Sequence, residues 1–464
     1  MQPLLRQTFH IFSVLLLIIL LLSLLANFSP ADELRVGIIG DQTGSDNIAE
    51  SYAILGKGIN ILAGQNVRAI LHMGDMIESS KKPKMIRRHY TQATQIIDRL
   101  KKPWFLTPGD HDVNPPQFQP NSDDRSRETL FKKLYSANVP EVTNHLYYSF
   151  DIDNYHFIAL YSQENLHVDP RWGVVFLARI SDVQFQWLAQ DLKEHENAKA
   201  IVIFMHQPLW YNWSNWLQVH KLIREYPVVA VVAGHFHYDQ DDGTIDGIRY
   251  VIVGATGGRL KQAHREAGNA HQVCIMTLKE QQVNFQLISV ESEEPMCFTP
   301  RVDMDRVQAL DQLLGTLWDF ADKNQIFLQG GKLVASCTKD EPAKIRLRSI
   351  GNPLDLPLHL KINYLSDKII INSAGFRQGI CQKVINDYEC ILTAGSRILV
   401  ANTSLVTPNQ AEEPLWEAEV MLAKSEVQHE QSSINIAIQL SFTSEQGEMF
   451  ITRRATTHLR KCPD

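Results

Sequence analysis

Five apolar runs in this chain end on an acid or an imidazole. "VGIIGD" closes on Asp41, "VRAILHMGD" on Asp75, and "PWFLTPGDHD" on Asp110, His111 and Asp112; "AIVIFMH" closes on His206, and "VVAVVAGHFH" on His235 and His237. Carboxylate and neutral imidazole are hard or borderline ligands that suit divalent Zn, Mn or Fe. Two such ions about 3.5–4 Å apart need a bridging carboxylate, and together they activate a water and neutralise a phosphoryl oxygen. Glycine precedes four of these groups (Gly40, Gly74, Gly109, Gly234), where it would let the backbone turn sharply at a strand end. His235 and His237 alternate sides if extended, so each can face a different ion. A single Gly-Asp dipeptide is more simply an ordinary turn, and a lone His206 is as readily a capped strand end as a ligand. The ordered set of five points to a metal site.

The elements that must position these groups follow from the pattern around them. From residue 34 to about 290, strand-like runs alternate with helical ones. "LRVGIIGD" precedes "IAESYAILGKGINILAGQN"; "VRAILHMGD" precedes a helix around Lys84 to Leu100; "SDVQFQWLAQDLKEH" opens on a Ser cap ahead of "AIVIFMH". Such alternation indicates α/β architecture. Groups at the carboxyl ends of its strands stand at the open edge, where loops build the site. A composition change around 291–303 marks a boundary, and "RVQALDQLLGTLWDFADKN" reads as an amphipathic helix. Beyond about residue 330 short β runs separated by Gly, Pro, Asn and Ser imply an all-β sandwich. The expected organisation is a leader over 1–31, an α/β domain over 32–295, a linker with its helix over 296–329, and a β-sandwich over 330–464.

The five runs together resemble the calcineurin-like metallophosphoesterases. That family's order is D-x-H, GD, GNH[DE], a His after an apolar strand, and GHxH; the chain has Asp41-Gln42-Thr43, Gly74-Asp75, Gly109-Asp110-His111-Asp112, His206 and Gly234-His235-Phe236-His237. The similarity extends over about residues 34–280. It implies two packed sheets flanked by helices, with metals at their shared edge. It also implies Asp41 and His237 on one ion, Asp75 bridging, and Asp110, His206 and His235 on the second. His111 would lie beside the scissile phosphate with Asp112 orienting it, and a metal-bridging hydroxide would attack phosphorus. The cofactors implied are two divalent ions, Mn, Zn or Fe, and the substrate a phosphate ester.

Two positions depart from the family pattern. Thr43 (or Gln42, if the register slips) replaces the first His, so the first ion is expected to be weakly held. Asp110 replaces Asn and makes three anionic ligands, leaving the inner shell near neutral. That weakens attraction for a phosphate dianion and favours a monoanionic diester, unless nearby cations help. Glu78, where iron-containing members place Tyr, reads as a solvated loop residue, and His72 as a packed core His. Among Trp210, Tyr211, Trp213 and Trp216, Tyr211 and Trp213 are candidates for stacking on a base or sugar, against the plainer reading of packing beneath the next helix. Arg171 and His167 receive no role.

Composition sets the remaining bounds. The 464 residues carry a net charge of −7, with no Lys/Arg-rich stripe, which argues against general nucleic-acid binding. "IFSVLLLIILLLSLLA" follows Arg6 and precedes Asp32, as a cleaved signal peptide or a membrane anchor would, and places the rest of the chain outside the cytoplasm. Six cysteines (Cys274, Cys297, Cys337, Cys381, Cys390, Cys462) read as disulfides in an oxidising compartment, with Cys381–Cys390 across a hairpin as the first pairing to expect. Residues 330–464 are weakly similar to the immunoglobulin-like repeat domain of bacterial surface proteins, which implies adhesion or spacing; a ligand-free stabilising domain is the simpler reading. The function expected is an exported dinuclear-metal phosphoesterase, slightly favouring diesters. The alternative is a surface binding protein with a degenerate metal site.

Overall fold

In the computed structural model the described residues begin at Glu33 and omit 45–46, 79–81, 114–124, 140–141, 143, 165–178, 212–214, 261–266, 319–325, 330–331, 343, 348–351, 365–368, 377–380, 385–386, 393–415, 423–432 and 463–464. The leader, His167, Arg171 and Trp213 therefore lie outside them. Among the described residues no helix is long and apolar enough to cross a membrane. The chain divides into two compact units. One runs to His237 and adds 242–259 and 271–296; the other comprises 238–241, 260–270 and 297–464.

The first unit holds two six-stranded sheets. In sheet one β1 (Leu34–Ile39), β2 (Ala69–His72) and β3 (Trp104–Leu106) run parallel. Antiparallel β10 (Gln272–Lys279), β11 (Gln282–Ser289) and β12 (Pro295–Met296) continue it from β1. Sheet two has the order β4 (Tyr148–Ile152), β5 (Tyr155–Ala159), β6 (Ala200–Phe204), β7 (Val228–Ala233), β9 (Ile248–Ile252), β8 (Gln240–Ile245), with β5, β6, β7 and β9 parallel. Every residue of β6 (AIVIF) and β7 (VVAVVA) is buried. Such unbroken apolar runs belong to strands covered on both faces.

The helices supply that cover. α1 (Ile48–Ala63) starts where the Asn47 side chain accepts from the Ala49 and Glu50 amides, and it turns Leu55, Ile59 and Leu62 inward. α2 (Pro83–Ile97) opens on Pro83, a residue whose fixed φ suits the first helical position. α3 (Asp110–Val113) is one turn that the sequence pattern does not announce; α4 (Ser126–Tyr135) follows it. α5 (Asp182–Glu194) is capped by the Ser181 hydroxyl, which accepts from the Gln184 amide. Its Leu188 and Leu192, with Trp216, Val219 and Ile223 of α6 (Trp216–Ile223), pack on Ile158, Ile203, Val231 and Tyr250 of sheet two.

In the second unit α7 (Arg301–Trp318), which the sequence places in a linker, packs on β22 (Ser433–Ser444) and β23 (Gly447–Lys461). Those two strands form a long hairpin inside an eight-stranded sheet, beside a separate three-stranded sheet, among the described residues. Among the described residues the unit's regular structure apart from α7 is β, as the turn-rich sequence implies. Cys381 and Cys390 face each other in register across the antiparallel pair β19 (Cys381–Val384) and β20 (Asp387–Leu392), so the expected hairpin forms. The disulfide among the described residues joins Cys337 to Cys462; Cys274 is buried in β10, and Cys297 is exposed.

Candidate metal centre

The ligand candidates leave the carboxyl ends of β1, β2, β3, β6 and β7, all parallel strands of their sheets. They form two groups that share Asp75: Asp75, Asp110, His206 and His235 in one, and Asp41, Asp75 and His237 in the other, each with its donor atoms within 4.8 Å of one another. His206 Nε2 lies 3.2 Å from Asp110 Oδ1, 3.6 Å from Asp75 Oδ2 and 3.1 Å from His235 Nδ1. In the second group His237 Nε2 is 3.6 Å from Asp41 Oδ1.

Backbone carbonyls fix which nitrogen each ring turns inward. His206 Nδ1–H donates to the Met73 carbonyl at 2.7 Å, and His237 Nδ1–H to the Arg259 carbonyl at 2.5 Å. In both rings Nε2 is thereby the nitrogen turned toward the acids. Such partners set tautomer and orientation in metal-ligating histidines.

Three of the four glycines work differently from the sharp turns expected of them. Gly74 has a positive φ of 96°, but Gly40, Gly109 and Gly234 are needed because another group comes too close for a side chain. A Cβ on Gly40 would stand 1.9 Å from the Gly254 carbonyl oxygen, and one on Gly109 would stand 2.1 Å from Asp75 Oδ1. The left-handed backbone belongs instead to the candidate ligands Asp75 (φ 53°), His235 (φ 70°) and His237 (φ 63°). Strain of this kind costs about 1–3 kcal/mol per residue and gathers at functional sites. The two histidines thus reach different groups without the extended alternation assumed from sequence.

Electrostatics support occupancy by cations. Burial raises the Asp75 carboxyl, and the neighbouring Asp110 charge adds to it, so it stands well above the usual carboxylate range. Burial also raises Asp41 and Asp110, but the facing imidazoles outweigh it and hold both below their ordinary values. His206 loses charge to burial yet is lifted to about 10 by Asp75, Asp110 and Asp41; His235 is lowered, chiefly by burial. Three carboxylates converging in a buried pocket need compensating positive charge, and divalent ions supply it without a proton. The donor set fits such ions.

Thr43 is not a ligand substitute. Its hydroxyl donates to Asp75 Oδ2 at 3.3 Å, so the group at Asp41 and His237 has fewer protein donors than its neighbour. His72, buried and pushed down to about 3 mainly by desolvation, is neutral; its Nδ1 accepts from the Gly74 amide while Nε2–H donates to Gln42 Oε1. It is the packed core His expected.

One reading is corrected at His111. The Asp112 carboxylate accepts from the Ile77 and Gly109 amides and pins together the loops after β2 and β3. Burial raises Asp112 to about 6. The acid beside the ring is Glu78, whose Oε1 is 3.7 Å from His111 Nδ1 while its Oε2 accepts from the Gly44 amide at 2.9 Å. Glu78 is therefore no solvated loop residue. Burial lowers His111, but Glu78, Asp75 and Asp110 more than reverse this and bring it to about 9. The signal available in the sequence was an acid three residues after Asp75.

Trp210 and Trp216 pack against Tyr250 in the sheet-two core, as the plainer reading has it. Tyr211 is partly exposed, and its ring meets Phe236 edge-on at 5.2 Å, between the ligand candidates His235 and His237. A third cluster, Asp151, His156 and His195, is a poor cation site. Both His156 nitrogens are engaged by Asp151 and Asp191, and its ring stacks nearly parallel on His195, so the lone pairs do not converge.

Residues 34–239 match the model of the calcineurin-like phosphoesterase family. Purple acid phosphatase 22 of Arabidopsis thaliana is 29% identical over 154 residues, 30% of this chain and 31% of the relative; the chain thus spans about a third of the length of that curated relative. Among solved structures, a dimetal phosphatase from Danio rerio aligns with 57% of this chain and 99% of its own at 14% identity and a TM-score of 0.44. Purple acid phosphatase PPD1 from yellow lupin aligns with 58% and 54% at 14% identity and a TM-score of 0.42.

Proposed function

Residues 34–239 carry a calcineurin-like phosphoesterase domain, and from that premise we propose that the protein is an exported, metal-dependent phosphoesterase with a modest preference for diesters. The observation that carries this reading is the pair of donor groups sharing Asp75, with His111 at their side. Asp75, Asp110, His206 and His235 would hold one divalent ion, and Asp41, Asp75 and His237 the other. Ions so held supply Lewis acidity toward the phosphoryl oxygen and an activated water.

The chain's own residues do the rest. Glu78 beside the ring favours the charged form of His111, so His111 can give a proton to the departing oxygen, with Glu78 holding the ring. Its amide donates to Asp75 Oδ1 at 2.8 Å, which ties the acid to the shared carboxylate. Tyr211 and Phe236 offer an aromatic wall for the organic part of the ester. The three carboxylates disfavour a dianion relative to a monoanion, hence the diester preference. Export is supported by the apolar leader and by Cys337–Cys462, since such bonds persist in oxidising compartments.

The test is turnover of a nitrophenyl diester and the matching monoester with Mn, Zn or Fe supplied separately. Metal-dependent hydrolysis that falls at least about 10²-fold in Asp75→Asn supports the enzyme. A folded, metal-loaded protein without turnover would leave a binding protein with a relic site, and a clear monoester preference would remove the charge argument.

A further inference from the structure

We propose that Arg259 is the phosphate-anchoring residue of this site and sets how well it accepts a dianionic monoester. The inference rests on the phosphoesterase reading and goes beyond it to the substrate's charge class.

Arg259 is stapled to the smaller donor group from both sides. Its amide donates to the Thr43 carbonyl at 3.0 Å, and its own carbonyl accepts the His237 Nδ1 proton. The side chain leaves this staple beside the centre: a Cβ built on Gly44 would lie 3.5 Å from Arg259 Cβ and 3.8 Å from His237 Cε1. The residue is exposed, and among the described residues no carboxylate pairs with its guanidinium.

Among the described residues Arg127 also meets the site's loops, but it is buried and donates to the His111 carbonyl. Arg259, by contrast, is a cation whose backbone borders the site and whose side chain is exposed. A guanidinium suits phosphate because its planar fork matches two oxygens at once. The need for it is specific to this chain. Asp110 adds a carboxylate to Asp41 and Asp75 and lowers the local positive potential that would attract a dianion. A single exposed arginine restores that potential for the substrate with the most charge, and matters less for a monoanionic diester.

The experiment is calorimetric binding of two inert probes, inorganic phosphate and dimethyl phosphate, to the full chain loaded with Mn(II), in the parent protein and in Arg259→Gln and Arg259→Lys. Metal content is measured in each. The expected result is a loss of about tenfold in phosphate affinity in Arg259→Gln, with dimethyl phosphate changed by less than about threefold, an intermediate loss in Arg259→Lys, and unchanged metal content. Equal losses for both probes, or none, would overturn the assignment of Arg259 while leaving the phosphoesterase reading in place. If the loaded parent protein binds neither probe, the phosphoesterase reading itself fails.

Discussion

Glu78 and His111 form an ion pair at 3.7 Å, and the geometry of the pair depends on Gly44, whose amide holds the second carboxylate oxygen. The carboxylate keeps His111 charged against the pull of burial. Glu78→Gln can retain the Gly44 contact but removes the charge. It should lower kcat about 10- to 100-fold with metal content unchanged. Because His111 then loses its proton sooner, the basic limb of the rate profile moves to lower pH. Steady-state kinetics across pH would show this; an unshifted limb would mean that Glu78 serves only the loop. The position was readable as an acid near Asp75, but its partner lies 33 residues away in sequence, on another strand end. Only the parallel pairing of β2 with β3 brings the two together.

At the level of elements, the end of the sheet away from the metal groups carries its own charged lock. The buried ring of His156, on β5, bridges Asp151 at 2.7 Å and Asp191 of α5 at 2.9 Å, and Ser149 of β4 donates to Asp191. Burial disfavours the imidazolium, but these carboxylates raise it above its ordinary value. A raised folded-state value contributes stability fully present below the unfolded value of about 6.5, and that contribution is lost as pH rises through the folded value. Asp191→Asn should therefore destabilise the chain by about 3 kcal/mol near pH 6, with the gap narrowing as pH rises. Denaturant titrations of both proteins at several pH values would measure it, and a gap independent of pH would refute the lock.

For the whole molecule, the two units are stabilised by different means. The first has closed layers of apolar side chains over both sheets. The second is tied by Cys337–Cys462 across 125 residues, from the end of β14 (Lys332–Ser336) to the chain's last strand. In the chain-entropy account a loop of that size is worth about 4–5 kcal/mol, and measured losses run to about 2–5. The double variant Cys337→Ser/Cys462→Ser should lower the denaturation midpoint of the second unit accordingly, in non-reducing buffer. An unchanged midpoint would show that the bond constrains little.

The sequence by itself determined the strand ends, their order and the types of the candidate ligands, because buried strands leave unbroken apolar runs and a polar group at the end of such a run is conspicuous. It also determined the alternation that makes parallel sheets. Tertiary structure decided the rest. Close approach, not turning, explains Gly40 and Gly109, and a steric limit set by Gly254 or Asp75 is invisible along the chain. Which nitrogen each His presents depends on the carbonyls of Met73 and Arg259, the first distant in sequence from its ring and the second beyond strands β8 and β9. Likewise Glu78 stands beside His111 although spacing does not suggest it, because partners are chosen by distance in space rather than by order in the chain.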